Sequence, residues 1–167
     1  YMALAPWGHR RKGLAWTPNM KLASAVHISN CNEYRAALLK DLRKAGIELF
    51  SYGSCLHNTD STCVTGVPTT AEQMSKRYLC AAEEGSRNSL YLGIPNALRR
   101  DLTTERYYHA LASGAVVVWF GDPDVVNHGI PIVKALEYAS FDALVSELRH
   151  ILSNKTLYES YTRPDLD

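Results

Sequence analysis

Apolar and polar positions along this chain switch between two periods, and the changeovers mark its elements. Residues 23–29 are apolar and β-compatible, and residues 35–45 set Ala36, Leu38, Leu39 and Leu42 among Lys40, Asp41, Arg43 and Lys44. That spacing predicts an amphipathic helix, closed by Gly46 as a C-cap glycine. Residues 47–52 resume as a second strand, turned by Gly53-Ser54. Strand, helix and strand in that order predict a parallel pair joined by a right-handed crossover. The order recurs: 71–76 suits a short helix, 77–82 a buried strand, 104–113 a helix stopped by Gly114, and 115–120 another strand. Ser140 reads as the N-cap of a last helix through Leu152, with Phe141, Leu144, Val145, Leu148, Ile151 and Leu152 on one face. The predicted fold class is α/β, a Rossmann-like doubly wound parallel sheet.

Composition narrows the picture by exclusion. Among 167 residues, 46% are hydrophobic and 21% charged, with 18 Lys and Arg against 17 Asp and Glu. Neither a disordered polyelectrolyte nor a nucleic-acid-binding arm fits that balance. The longest apolar runs, such as 115–120, fall far short of the roughly 20 residues that span a bilayer, and no basic-then-apolar signal peptide opens the chain. The chain is therefore read as a soluble piece of a longer parent. Residues 1–21 mix Trp7, Gly8, Gly13, Trp16 and Pro18 with the basic run 9–12 and show neither period, which reads as a lead-in or linker with a solvated basic face. The folded domain is placed at 22–163. Four cysteines (Cys31, Cys55, Cys63, Cys80) form no CxxC pair, so the usual zinc spacings are missing.

In doubly wound sheets, ligands bind beyond the carboxyl ends of the strands, where helix N-termini offer free N–H groups. Segments 30–35, 52–58, 83–85, 103–106 and 121–124 are therefore the places to look. Arg35 opens one predicted helix and Arg106 opens another. A cation at a helix N-terminus is locally unfavourable, because the helix dipole is already positive there. An anion shared between the two would reconcile sequence with structure, and a pyrophosphate suits the bidentate guanidinium. The plainer alternative is two surface arginines meeting Glu33 and Glu105. Glu105 either compensates the dipole or accepts hydrogen bonds from a ribose diol. No GxGxxG follows the first strand, and neither GxxxxGK[ST] nor GxSxG occurs, which speaks against NAD, FAD, P-loop and serine-hydrolase chemistry. Asp122-Pro123-Asp124 reads as a turn before it reads as a metal pair.

Taken in order, Ser29-Asn30-Cys31, Arg35, Tyr52-Gly53-Ser54-Cys55, 77–84, Asp101-Leu102-Thr103-Thr104-Glu105-Arg106 and 112–121 resemble the donor half of the α1,3/α1,4-fucosyltransferases, glycosyltransferase family 10. The likeness covers about residues 22–160 and is most specific at Thr104-Glu105-Arg106 followed by Ala110 to Val118. Around 47–58 it is most like plant and protist members. The resemblance implies a GT-B architecture of two Rossmann-like domains, this chain being the C-terminal half, with the N-terminal acceptor domain outside it. It implies inverting transfer of fucose from GDP-fucose to a glycan or glycoprotein hydroxyl. No cofactor is required on this reading, and a divalent metal is at most stimulatory. Arg35 and Arg106 match the family's diphosphate-holding cations and are the expected catalytic groups. Glu105 matches the ribose-binding glutamate, and Thr104 begins the helix that faces the donor. Glu83 and Glu84 match the last two positions of a Phe-Glu-Asn motif in the donor cleft. Glu84 thus replaces an asparagine, Leu102 an aromatic residue and Val117 a proline, and residues 86–100 make a longer link carrying Arg87, Arg99 and Arg100. These departures keep two alternatives open: a noncatalytic relative serving as a binding scaffold, and a transferase using another nucleotide sugar. Such enzymes imply a Golgi lumen and a type II membrane parent. There a Cys31–Cys55 bridge is allowed by the position of both residues after neighbouring strands, and two free thiols are the alternative.

Overall fold

The computed structural model describes residues 10–63, 69–97, 105–127 and 129–163. Trp7, Gly8, His9, Arg99, Arg100, Asp101, Leu102, Thr103 and Thr104, singled out above, lie outside the described residues, as does the Glu105 side chain.

The elements run β1 (Ala23–Val26), α1 (Glu33–Lys44), β2 (Glu48–Ser51), α2 (Ala71–Ser86), β3 (Leu90–Gly93), α3 (Glu105–Ser113), β4 (Val116–Trp119), β5 (Ile132–Lys134), α4 (Phe141–Ser153) and α5 (Lys155–Thr162). The strands form one sheet in the order β2-β1-β3-β4-β5, and every pairing is parallel. Buried strand residues alternate between two layers. Val116, Val118 and Phe120 join Leu38, Leu39 and Leu42 of α1 and Leu144, Leu148 and Ile151 of α4 in one cluster. Ala115, Val117 and Trp119 join Tyr107, Ala110 and Leu111 of α3 in the other. A strand buried on both faces needs apolar side chains at both phases of its period, which is why 115–120 is uninterrupted. The doubly wound α/β reading holds.

Local chemistry sets the helix ends. Asn32, Thr70, Ser140 and Asn154 cap α1, α2, α4 and α5, each side chain accepting from the N–H three residues on. At the end of α1, Gly46 takes φ +96° while Ile47 N–H reaches Leu42 O and Gly46 N–H reaches Arg43 O. This is a Schellman closure, and only glycine adopts that φ without steric cost.

Three expectations change. The strand expected at 77–82 lies inside α2, and the third strand is Leu90–Gly93, within the stretch read as a link. A short apolar run such as Tyr78 to Ala82 does not by itself distinguish strand from helix. The Thr70 cap settles it, setting a helical register that buries Ala81, Ala82, Glu84 and Gly85. The lead-in is also more than a linker from residue 10 onward. Arg11 N–H donates to Ala112 O, Trp16 Nε1 to Leu152 O, and Tyr158 hydroxyl to Leu14 O. Within the expected solvated face, Arg10 instead donates to Leu111 O, Tyr161 O and Thr162 O. Phe141, expected on the buried face of α4, is exposed at its N-terminus.

Candidate functional site

The order β2-β1-β3 puts the reversal of strand order between β1 and β3, so a crevice opens where their carboxyl ends diverge. Arg35 lies under it. Its guanidinium is fully buried and donates from Nε to Pro95 O at 3.1 Å, from Nη1 to Asn30 O at 2.8 Å and from Nη2 to Ile94 O at 2.7 Å. Asn32 Nδ2 adds a bond to Asn96 O. One cation thus stitches the exit loop of β1 to the exit loop of β3.

Arg106, in the first turn of α3, arrives at the same edge. It is half-buried, and its Nε donates to the His27 carbonyl, 3.1 Å away, just after β1. The two arginines therefore meet the exit of the same strand, Arg35 through Asn30 and Arg106 through His27.

The His27 ring anchors a polar network across the α2 and α3 face. Its Nε2 donates to Glu84 Oε2 at 2.7 Å, and the Tyr91 hydroxyl sits 2.9 Å from Nδ1. Tyr52, just past β2, stacks on the ring at 4.7 Å between centroids. Glu84, 1% exposed, also accepts from Ser61 hydroxyl, Thr62 N–H and Thr62 hydroxyl. Burial alone would raise its carboxyl; the bonds from His27, Ser61 and Thr62 outweigh that and hold it below the usual range. Burial pushes the Tyr91 phenol far up, with the nearby Arg106 charge opposing. At neutral pH the Glu84 carboxylate is ionised and serves the Ser61 and Thr62 hydroxyls, the Thr62 N–H and the His27 ring.

Two disulfides fasten the surrounding loops. Cys31–Cys55 joins the exits of β1 and β2, and Cys63–Cys80 pins the segment after β2 to α2. Asp122 carboxylate accepts from Asp124 N–H at 3.0 Å, so Asp122-Pro123-Asp124 forms a turn.

The C-terminal region of glycosyltransferase family 10 (fucosyltransferase) matches residues 17–163. The chain belongs to this family. It is 27% identical over 157 residues to alpha-(1,3)-fucosyltransferase B of Drosophila melanogaster, a match covering 84% of this chain and 30% of that protein. It is 28% identical over 147 residues to GDP-fucose protein O-fucosyltransferase 3 of Gallus gallus, again over 84% and 30%. The chain therefore spans about 30% of the length of these relatives. Its fold matches a crystal structure of an α1,3-fucosyltransferase with GDP-fucose at a TM-score of 0.63 and 17% identity, covering 87% of this chain and 39% of that one.

Within this family frame the residues expected at the site divide. Arg106 stands at the crevice. Arg35 is next to it, buried beneath the main-chain carbonyls of Asn30, Ile94 and Pro95. Glu83 and Glu84 do not stand at the end of a strand. Both sit in the last turns of α2, which lead into the amino end of β3 rather than out of a strand. Glu83 is exposed and pairs with Arg11 at 3.5 Å and Arg87 at 3.3 Å. Arg11 in turn bonds the end of α3, placing Glu83 at the amino edge of the sheet, away from Arg106. Glu84 is consumed by the His27 network. The residues that do leave β3 at its carboxyl end are Ile94, Pro95 and Asn96. Sequence reading missed His27 and Tyr91, and it marked Tyr52 within the segment 52–58 without giving it a role; the three come from separate strand regions, and no spacing rule joins them.

Proposed function

We propose that this chain is the donor-binding half of an inverting fucosyltransferase, holding GDP-fucose over the carboxyl ends of β1 and β3. The observation that carries the reading is Arg106: a half-buried guanidinium in the first turn of α3, tethered by Nε to the β1 exit at the switch point of the sheet. The tether fixes the cation where the α3 N-terminus adds its partial positive charge, an arrangement suited to a diphosphate. The name of the Gallus gallus relative includes GDP-fucose, and a structural neighbour was crystallised with it, which supports that donor. Thr104 and Glu105 remain the proposed phosphate and ribose contacts at the same helix start. Asn96, at the exit of β3, replaces Glu83 and Glu84 as the proposed polar group of the donor cleft.

In the proposed reaction an acceptor hydroxyl, on a glycan or a protein, attacks C1 of fucose opposite the departing GDP, and negative charge grows on the diphosphate. Arg106 and the α3 N-terminus are fixed before that charge develops, so little reorganisation opposes the step. Arg35 contributes by holding both exit loops in register beneath the leaving group. The base that takes the acceptor proton belongs to the N-terminal domain of the parent. Both disulfides suit a secretory lumen, the compartment proposed for the parent.

A noncatalytic scaffold is the second reading, favoured by the sealed position of Arg35. Titration calorimetry of the parent with GDP, GDP-fucose, GDP-mannose and UDP-sugars decides. The proposal expects GDP and GDP-fucose to bind and the UDP-sugars not to. Arg106→Ala is expected to lower turnover by about 100- to 1,000-fold, as loss of a ~2.7–4 kcal/mol electrostatic donor implies, with unchanged circular dichroism. Binding of no nucleotide would favour the scaffold, and near-normal turnover in Arg106→Ala would remove the role given to that residue.

A further inference from the structure

We propose that Asn154 is an N-glycosylation site, its side-chain Nδ2 accepting an oligosaccharide from a lipid-linked diphosphate donor. The inference rests on the luminal part of the reading above and is independent of the nucleotide site.

Asn154-Lys155-Thr156 is the only Asn-x-Ser/Thr sequence in the chain. All three residues are exposed, as is Ser153 before them, in the corner where α4 ends and α5 begins. Asn154 has extended backbone angles, φ −111° and ψ 110°, and its Oδ1 accepts from Leu157 N–H at 3.0 Å. With Oδ1 committed to the helix, the other arm of the amide, Nδ2, is the part left to the outside.

The chemistry is compatible with that division of labour. A bond forms between Nδ2 and C1 of the first sugar, the C1–O bond to the lipid diphosphate breaks, and the amide proton is lost to the base of the transferring enzyme. The primary amide becomes a secondary amide with its carbonyl oxygen in place, so the N-cap on Leu157 N–H survives modification. The reaction belongs to the secretory lumen, the same compartment in which Cys31–Cys55 and Cys63–Cys80 persist.

Position also favours it. The last turns of α4 lie by the turn between α1 and β2, where a Cβ on Gly46 would meet Arg149 Nη2. That is the amino edge of the sheet, whereas Arg106 and His27 occupy the carboxyl edge. A glycan on Asn154 therefore projects away from the donor crevice and leaves it open.

The parent, expressed in a eukaryotic secretory host, tests this by peptide mass mapping and by gel mobility before and after peptide-N-glycosidase. The expected result is a glycosylated Asn154 peptide, converted to Asp by the enzyme, with a matching mobility shift. Two variants separate glycosylation from capping. Thr156→Ala destroys the acceptor sequence but keeps the Asn cap, and Asn154→Asp destroys the acceptor while supplying another good cap. Both should lose the shift assigned to this site and remain folded. An unmodified Asn154 peptide overturns the proposal, whether the four cysteines are found bridged or free, and so does a shift that survives Thr156→Ala. GDP titration of the same preparation keeps the two readings apart: a glycosylated chain that binds no nucleotide leaves this inference standing and removes the other.

Discussion

Glu84 and His109 show how single buried groups tie this fold to pH, in the same direction for opposite reasons. Glu84 is held below the usual carboxyl range by its donors, so the stability it contributes is present above the unfolded value and lost as pH falls through the lower folded one. Glu84→Gln keeps the shape but gives up the charge. It is expected to cost about 1–3 kcal/mol, read as a lower urea midpoint at pH 7 that narrows against wild type in acid. His109 is the converse case. Its Nδ1 is buried without a hydrogen-bond partner, its ring lies edge-on to Tyr78, and burial lowers its pKa from 6.5 to about 3. As pH falls below 6.5 the unfolded chain takes up a proton that the folded one refuses, so stability drains steadily until about 3. Between pH 7 and pH 5 that amounts to about 2 kcal/mol. His109→Phe should lose about that much less than wild type over the same interval, measured by urea unfolding at both pH values. Equal losses in the two proteins would remove His109 as the titrating group.

At the level of elements, the same packing explains which parts of the fold were legible. The α1 and α4 stripes, the apolar run of β4 and the glycine stop at Gly46 each follow from local pattern, because each element buries large side chains on a defined face. The α2–β3 region did not yield to that reading. Apart from the carboxylate of Glu84, its buried helical residues, Ala81, Ala82 and Gly85, are small, so the helix shows little of the apolar stripe that would betray it. The small size has a cause on the other side of the contact. A Cβ on Gly85 would strike the Tyr91 ring and Ser113 Cβ, so the helix lies close against β3 and α3 only because that position is bare. Gly85→Ala is expected to destabilise by about 1–3 kcal/mol, the usual cost of overpacking. Because the displaced ring carries the hydroxyl on His27, donor affinity should fall as well. Urea melts together with a GDP titration check both effects. The misplaced strand also explains the misplaced site residues: once β3 is taken to end near Ala82, Glu83 and Glu84 inherit the strand-exit role that belongs to Ile94, Pro95 and Asn96. Arg106 needed no such register, since the glycine stop after α3 located its helix.

The molecule as a whole is polarised between its two sheet edges. Groups suited to a ligand gather at the carboxyl edge, where Arg106, His27 and the Arg35-clamped loops meet. The amino edge is occupied by fastening. There the segment from Arg10 onward crosses the end of α3, with Gly13 against the backbone of Gly114, which itself takes φ +74°. Arg10 donates to Leu111 O of α3 and to Tyr161 O and Thr162 O of α5, so a single side chain serves carbonyls that two helix ends leave unsatisfied. Burial lowers its pKa to about 10, which still leaves it charged at physiological pH. Such separation predicts that stability and donor binding are lost by different lesions. Arg10→Ala strands three part-buried carbonyls and is expected to cost about 2–3 kcal/mol, which for a domain of this size lowers the thermal midpoint by at least about 5 °C. GDP affinity, measured well below that midpoint, should stay within about twofold of wild type, because no contact of Arg10 reaches the β1–β3 crevice. Arg106→Ala should do the reverse, sharply weakening nucleotide affinity with little change in the midpoint. If Arg10→Ala weakened GDP binding as much as Arg106→Ala does, the two edges would be coupled and the crevice could not be treated as a self-contained site.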